Sequence, residues 1–300
     1  MDGLLIIDKP EGITSHDAVN RVRRVLGTRR VGHTGTLDPF ATGVMVVVVG
    51  KATRLAQFLD KDEKEYEAVI RFGFETDTGD RTGSPKSEVQ SPKSVSRIDV
   101  ESILGRFIGE IEQIPPMYSA KKIDGKKLYE HARNGETVER KPIGVIVNEL
   151  QITSDVNPSD FGHGTSDFGL RIVCSAGTYI RVLAEEIGRK LGVGAHLAEL
   201  RRTRSGRFSV RESITLDKLE KSDDPSISLL PIENAVKHLA QFDLDEDRAA
   251  ATANGLSTRI SDQQFEDGQT LRMLSPGGDL IAVGVFESDT NSIRPRVVLV

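Results

Sequence analysis

Apolar positions recur along the chain with two periods, and the switches between them mark its elements. In KEYEAVIRFGF, residues 64–74, Tyr66, Ala68, Ile70, Phe72 and Phe74 alternate with polar neighbours, the period of a strand with one buried face. In SHDAVNRVRRVLG, Ala18, Val19, Val22, Val25 and Leu26 follow helical spacing, predicting a helix capped by Ser15 and ended by Gly27. Arg21, Arg23 and Arg24 fall outside that stripe, which leaves both a solvated face and a phosphate-contacting one open. A further helix in SAGTYIRVLAEEIGRKLG, capped by Thr178, places Ile180, Leu183, Ala184, Ile187 and Leu191 inward and Arg181 in its first turn. IDVESILGRFIGE repeats the helical period at Val100, Ile103, Leu104, Phe107 and Ile108.

Continuous apolar runs at GLLIID (3–8) and Val44 to Val49 read as buried strands, with further strands at about 144–153 and 169–175. AHLAELRRTRSGRFSV is strand-like and carries Arg201, Arg202, Arg204 and Arg207. Residues 75–95 and the polar NPSDFGHGTSDFG read as exposed loops. At about 114–142 the pattern breaks into a mobile, basic insertion containing Lys121, Lys122, Lys126 and Lys127. Mixed strands and helices without a βαβ repeat predict an α+β fold. From about residue 235 the runs LRML, LIAVGVF and RPRVVLV, separated by turn residues, predict a small β-rich domain with few core contacts across the boundary.

Composition narrows the classes. With 37% hydrophobic residues in 300 and no apolar stretch longer than Val44–Val49, neither a membrane span nor a membrane partner is expected, and with no basic leader a cytoplasmic location is. The single cysteine, Cys174, and the absence of ligand spacing among the histidines predict neither a disulfide nor a metal site. The net charge of −5 by itself argues against a nucleic-acid partner, but the way the charge is distributed points the other way. Residues 1–59 carry eight Lys/Arg against five Asp/Glu and residues 199–211 five against one, whereas residues 241–300 carry five against ten. A basic face is therefore expected on the first part of the chain.

The chemistry concentrates in GHTGTLDPFATG, residues 32–43, where one carboxylate sits among glycines and threonines. The spacing fits neither a P-loop nor a dinucleotide fingerprint, and no GxSxG occurs. Small residues let a planar or sugar-bearing ligand approach the backbone, leaving Asp38 as a candidate acid or, before Pro39, as the start of a turn.

Together, DKPEGITSH (8–16), GHTGTLDPFATG, KEY (64–66), AGTYIRVLAEEIG (176–188) and HLAELRRTRSG (196–206) resemble the TruB-type tRNA pseudouridine synthases, which isomerise uridine 55 of the T loop. The likeness covers roughly residues 3–210, and residues 240–300 are similar to the PUA-type RNA-binding module that often ends these enzymes. The resemblance implies a pseudouridine synthase fold, a large mixed and mainly antiparallel sheet flanked by helices. It divides the chain into a catalytic domain at 1–235 and a PUA-like domain at 236–300. It makes Asp38 the nucleophile, Arg181 its ion-pair partner and Tyr66 the ring that stacks on a flipped uracil and a candidate to take its C5 proton, where the residue's own pattern also allows a core role. His33 would contact the RNA loop, Leu200 line the uracil pocket and Lys9 support the catalytic loop, while Lys126, Lys127, Arg202 and the neighbouring arginines would grip RNA. A tRNA T-arm as partner, no cofactor, no metal and a monomer are implied. A protein on the same scaffold that binds or folds tRNA without catalysis is the alternative; a guide-RNA-dependent relative of the dyskerin type would share the core motifs.

Overall fold

A computed structural model describes residues 1–86, 95–119, 121–123, 125–136, 138–156, 165–261 and 265–299. Much of the loop expected at 75–95, residues 157–164 of the polar loop expected at 157–169 and the side chains of Lys122 and Lys127 lie outside the described residues, while residues 166–169 of that expected loop are instead the start of a strand, with Asp167 and Phe168 buried. The chain runs through β1 (Gly3–Lys9), α1 (Ser15–Val25), β2 (Val31–Thr34), β3 (Thr42–Val49), β4 (Lys64–Phe72), α2 (Arg97–Leu104) and β5 (Gly109–Gln113). A hairpin of β6 (Lys122–Ile123) and β7 (Lys126–Lys127) and the short α3 (Leu128–Arg133) lead into the long pair β8 (Ile143–Val156) and β9 (Ser166–Cys174). There follow α4 (Ile180–Leu191), β10 (Ala195–Ser205), β11 (Phe208–Ser209), β12 (Ile214–Thr215) and α5 (Leu216–Glu220). The chain ends with β13 (Ala240–Asp243), α6 (Glu246–Ala253), β14 (Thr258–Arg259), β15 (Thr270–Leu274), β16 (Leu280–Glu287) and β17 (Ser292–Val298).

The large sheet has the order β12-β1-β3-β10-β4-β9-β8-β5, with β2 added to β3 and β11 to β10. Only β1 with β12 and β3 with β10 pair in parallel, so the sheet is mixed and mainly antiparallel. Its middle is covered on both faces. From β3, Met45 and Val47 pack under Ala18, Val19 and Val22 of α1, while Val44, Val46 and Val48 belong to a cluster on the other side. That double burial explains an apolar run without alternation. From β4, Tyr66, Ala68, Ile70 and Phe72 share a core with Leu183 and Ile187 of α4 and Val100 and Leu104 of α2. Among the described residues no helix is long and apolar enough to cross a membrane.

Several local expectations change. The cap of α1 is Thr14, not Ser15: the Thr14 hydroxyl accepts from Asp17 N at 3.0 Å and the Asp17 carboxylate accepts from Thr14 N at 3.0 Å, a reciprocal box. Ser15 is thereby released for another contact. The cap of α4 is Tyr179 rather than Thr178, and the buried Gln113 side chain accepts its N–H at 2.9 Å. Strand β4 stops at Phe72, so Phe74 leaves the pleat and its ring lies 4.5 Å from that of His196. Within the segment expected to be exposed at 75–95, Thr76 and Asp80 are buried. Arg21 lies at the surface but is already committed: it bonds Glu220 and Asp217 and ties α1 to α5.

The C-terminal strands form a second sheet, β13-β15-β16-β17-β14. The expectation of few core contacts near residue 235 is not met. Leu274, Leu280, Val283, Val297 and Leu299 share one apolar cluster with Leu4, Ile6, Val44, Val46 and Val48 of the large sheet. At roughly 1.5–3 kcal/mol for each fully buried aliphatic side chain, that cover is comparable with the net stability of a whole domain. A chain ending at residue 235 is therefore expected to unfold at least about 10 °C below the full-length protein in a thermal scan. Coincident unfolding midpoints would show that the second sheet lends the first no stability.

Candidate active site

The loop between β2 and β3 is held from behind. Buried Lys9 donates to the carbonyls of Pro10 and Ile13 at 2.8 Å and of Pro39 at 3.2 Å, and Gly12 N donates to Pro39 O at 2.9 Å. The Ser15 hydroxyl both accepts from Leu37 N at 2.8 Å and donates to Leu37 O at 3.0 Å. The turn that begins at β1 and the first residue of α1 thus clamp residues 37–39. Gly43 pins the far end: a Cβ there would stand 2.2 Å from Arg202 O, so only glycine admits the parallel contact of β3 with β10.

Asp38 meets Arg181 in a two-point ion pair, Nε to Oδ2 at 2.9 Å and Nη2 to Oδ1 at 3.2 Å. The guanidinium is itself fixed by Thr78 O at 2.8 Å and Tyr118 O at 2.7 Å, with Asp80 Oδ2 3.7 Å from Nη1. Asp80 is held by Thr78 Oγ1 and Thr82 N, each at 2.9 Å. Accessibility is unequal: the Arg181 side chain is 6% exposed and that of Asp38 32%, so the carboxylate is the more open member of the pair. Burial raises the Asp38 pKa above the ordinary aspartate value, with Arg181 pulling against it and the negative Asp80 adding to the rise.

Asp38 and Arg181 open onto a cavity of about 260 Å³ whose wall also includes Lys64, Tyr66, Leu200 and Arg202. Tyr66 is 7% exposed, and burial holds its phenol above the usual value. Thus five residues read from the sequence converge: Asp38, Tyr66, Arg181, Leu200 and Arg202. Arg202 is not a surface cation, however. It is 1% exposed, with Nε on Val44 O at 2.7 Å and Nη2 on Gly35 O at 3.0 Å, which removes it from any phosphate-gripping surface and makes it part of the cavity wall.

Its neighbours are committed too. Arg201 pairs with Asp8 at 2.7 Å and Arg204 with Glu63 at 2.6 Å, whereas Arg207 and Lys126 are exposed. His33, half-buried on β2, and Lys9 stand outside the cavity wall, as does Lys126, while Lys121 lines it. Sequence reasoning missed Asp80, Lys64 and the carbonyl of Tyr118. For Asp80 a signal exists in TDTGDRT, because an aspartate flanked by threonines at two-residue spacing makes local side-chain turns.

A family model described as the N-terminal domain of TruB family pseudouridylate synthase matches residues 23–180, and one described as the tRNA pseudouridylate synthase B C-terminal domain matches residues 181–237. The tRNA pseudouridine synthase B of Bacillus pumilus (strain SAFR-032) is 39% identical over 305 residues, spanning 100% of this chain and 98% of its own length. That of Azoarcus sp. (strain BH72) is 42% identical over 298 residues, spanning 99% and 94%. Among solved structures, a chain of an H/ACA RNP bound to a substrate RNA containing 2′-deoxyuridine superposes with a TM-score of 0.73 at 25% identity, covering 99% of this chain and 85% of that one. A chain of a Cbf5-Nop10-Gar1 complex superposes equally well, at 27% identity.

Proposed function

The chain belongs to the TruB family of pseudouridylate synthases, and from that membership we propose that it isomerises uridine 55 in the T loop of tRNA to pseudouridine, with Asp38 as its nucleophile. One observation carries the reading: the Arg181-held carboxylate of Asp38 faces the same small cavity as Tyr66 and Leu200. A cavity of about 260 Å³ suits a single nucleobase. The target uridine, stacked in its loop, is flipped into it at a cost of a few kcal/mol, which contacts to the RNA backbone offset. Exposed Lys126 and Arg207 supply part of that contact, and His33 touches the loop the base has left.

The Asp38 carboxylate acts ionised. Arg181 keeps that form accessible despite burial and fixes both oxygens, so one carboxylate edge is presented to the nucleoside. The carboxylate bonds to C1′ as the N1–C1′ bond breaks, the uracil turns over, C5 joins C1′ and displaces Asp38, and C5 loses a proton while N1 gains one. Tyr66 contributes its ring to the stack and its O–H as a donor; a phenol kept neutral by burial is a poor acceptor for the C5 proton. Residues 236–300 act as a PUA-like accessory contact, with 1–235 carrying the chemistry, and the protein works as a monomer without a cofactor.

The purified protein is expected to convert an isolated T-arm stem-loop transcript stoichiometrically under single-turnover conditions, read as pseudouridine in a nuclease digest. A stem-loop that binds but stays unconverted, while whole tRNA is modified, would move recognition beyond the T arm.

A further inference from the structure

Lys64 opens β4 and is 4% exposed, and among the described residues its Nζ has no hydrogen-bond partner and no carboxylate at ion-pair distance. Its charged and titratable neighbours are Arg202 on β10, Asp60 and Asp62 just before β4, and Cys174, opposite it on β9. Arg202 too bonds only neutral groups, the carbonyls of Val44 and Gly35, with the phenol of Tyr66 beside it. The glycine at 35 keeps the approach open: a Cβ there would stand 3.2 Å from Arg202 Nη1 and 3.7 Å from Lys64 Cε. Two cations without a bonded counter-ion therefore line the cavity, whose wall also holds the carboxylates of Asp38 and Asp60, neither of them at ion-pair distance from Lys64. Burying a cation unpaired costs several kcal/mol, so the arrangement is explained if a bound group brings the negative charge. Burial, with Arg202 beside it, brings the Lys64 pKa down from 10.5 to about 8, as expected for an ammonium lacking such a partner.

On the proposed reaction, which this inference rests on, charge of the right sign appears in the right place. When N1–C1′ breaks, its electron pair passes to the base, leaving a uracil anion with charge spread over N1, C5 and the carbonyl oxygens. When C5 bonds to C1′ the pair enters the new bond as the Asp38–C1′ bond breaks, and the ring is restored when C5 loses its proton and N1 takes one up. The base is anionic only between these two events. A backbone phosphate is a poorer fit, because Lys64 lies inside the sheet rather than among the exposed side chains that an RNA strand can reach. We propose that Lys64, with Arg202 beside it, is a catalytic residue whose ammonium donates a hydrogen bond to a carbonyl oxygen of the detached uracil and stabilises its negative charge.

The test replaces Lys64 by methionine, which removes a buried unpaired charge at similar volume, and in a second variant by glutamine. Lys64→Met is expected to slow single-turnover conversion at saturating enzyme by roughly 10²-fold, the scale for losing one preorganised donor, with tRNA affinity little changed. Lys64→Gln is expected to fall between it and the wild type. The decisive readout is a stem-loop carrying 5-fluorouridine at the target, whose more acidic base needs less stabilisation on leaving. Loss of the N-linked nucleoside is compared for the two bases on one preparation, so the folded fraction cancels. The methionine variant should lose about tenfold less rate on the fluorinated base than on uridine. An equal loss on both bases, or a uridine rate within about twofold of wild type, overturns the role of Lys64. A wild-type protein that leaves uridine 55 unchanged overturns instead the reading on which the role rests.

Discussion

Asp38→Asn is expected to slow conversion of uridine 55 by on the order of 10⁴-fold or more, the scale seen when a group that forms the covalent bond is removed. Binding of tRNA should survive. The amide keeps the volume of the carboxylate, and its neutrality suits a site whose burial already raises the Asp38 pKa. Arg181 retains the carbonyls of Thr78 and Tyr118 and the nearby Asp80, so the cavity should keep its shape. Single-turnover conversion and filter binding, measured on the same preparation, check both halves. Near wild-type conversion would make Asp38 a turn residue before Pro39. Lost conversion with intact binding also isolates any RNA-folding role that needs no chemistry.

The second large effect belongs to Arg181. Arg181→Met leaves Asp38 in its buried site without the cation that opposes the rise in its pKa, and the rate at neutral pH is expected to fall by roughly 10²–10³. The sign of the pH dependence follows. Activity needs the ionised carboxylate, so the wild-type rate declines as the pH drops through the raised Asp38 pKa. Without Arg181 that decline moves to higher pH, and part of the lost rate returns on raising the pH. Asp38→Asn has no carboxylate to ionise and should show no such return. A pH–rate profile of the three proteins decides it: a defect in Arg181→Met that is flat with pH would mean that the arginine only shapes the site. Lysine at 181 should rescue little, because it replaces a fork bonded to Asp38, Thr78 and Tyr118 with a single point charge.

What the chain reveals before its structure is seen follows the range of the interactions. The alternation of β4, the stripe of α1 and the loop motif are local, and they are found where expected. The cap of α1 is local as well: Thr14 and Asp17 stand three apart as a box requires, but the adjacent Ser15 is an equally suitable residue type. Long-range pairing is not legible. Nothing near Arg201 or Arg204 announces that Asp8 and Glu63, more than a hundred residues earlier, will hold them, so a run of arginines read as free surface charge is partly a set of long-range ion pairs. Tertiary burial hides Asp80 and Lys64 in the same way. One lies in a segment polar enough to pass for loop, and the other begins a strand whose alternation places a lysine on the inward face.

The most direct test of the proposed activity is to incubate the purified protein with an unmodified tRNA transcript and map pseudouridine at single-nucleotide resolution. The expected result is one new pseudouridine, at position 55, made by the wild type and absent with Asp38→Asn. A transcript left unmodified by the wild type, or modified elsewhere with uridine 55 intact, would contradict it.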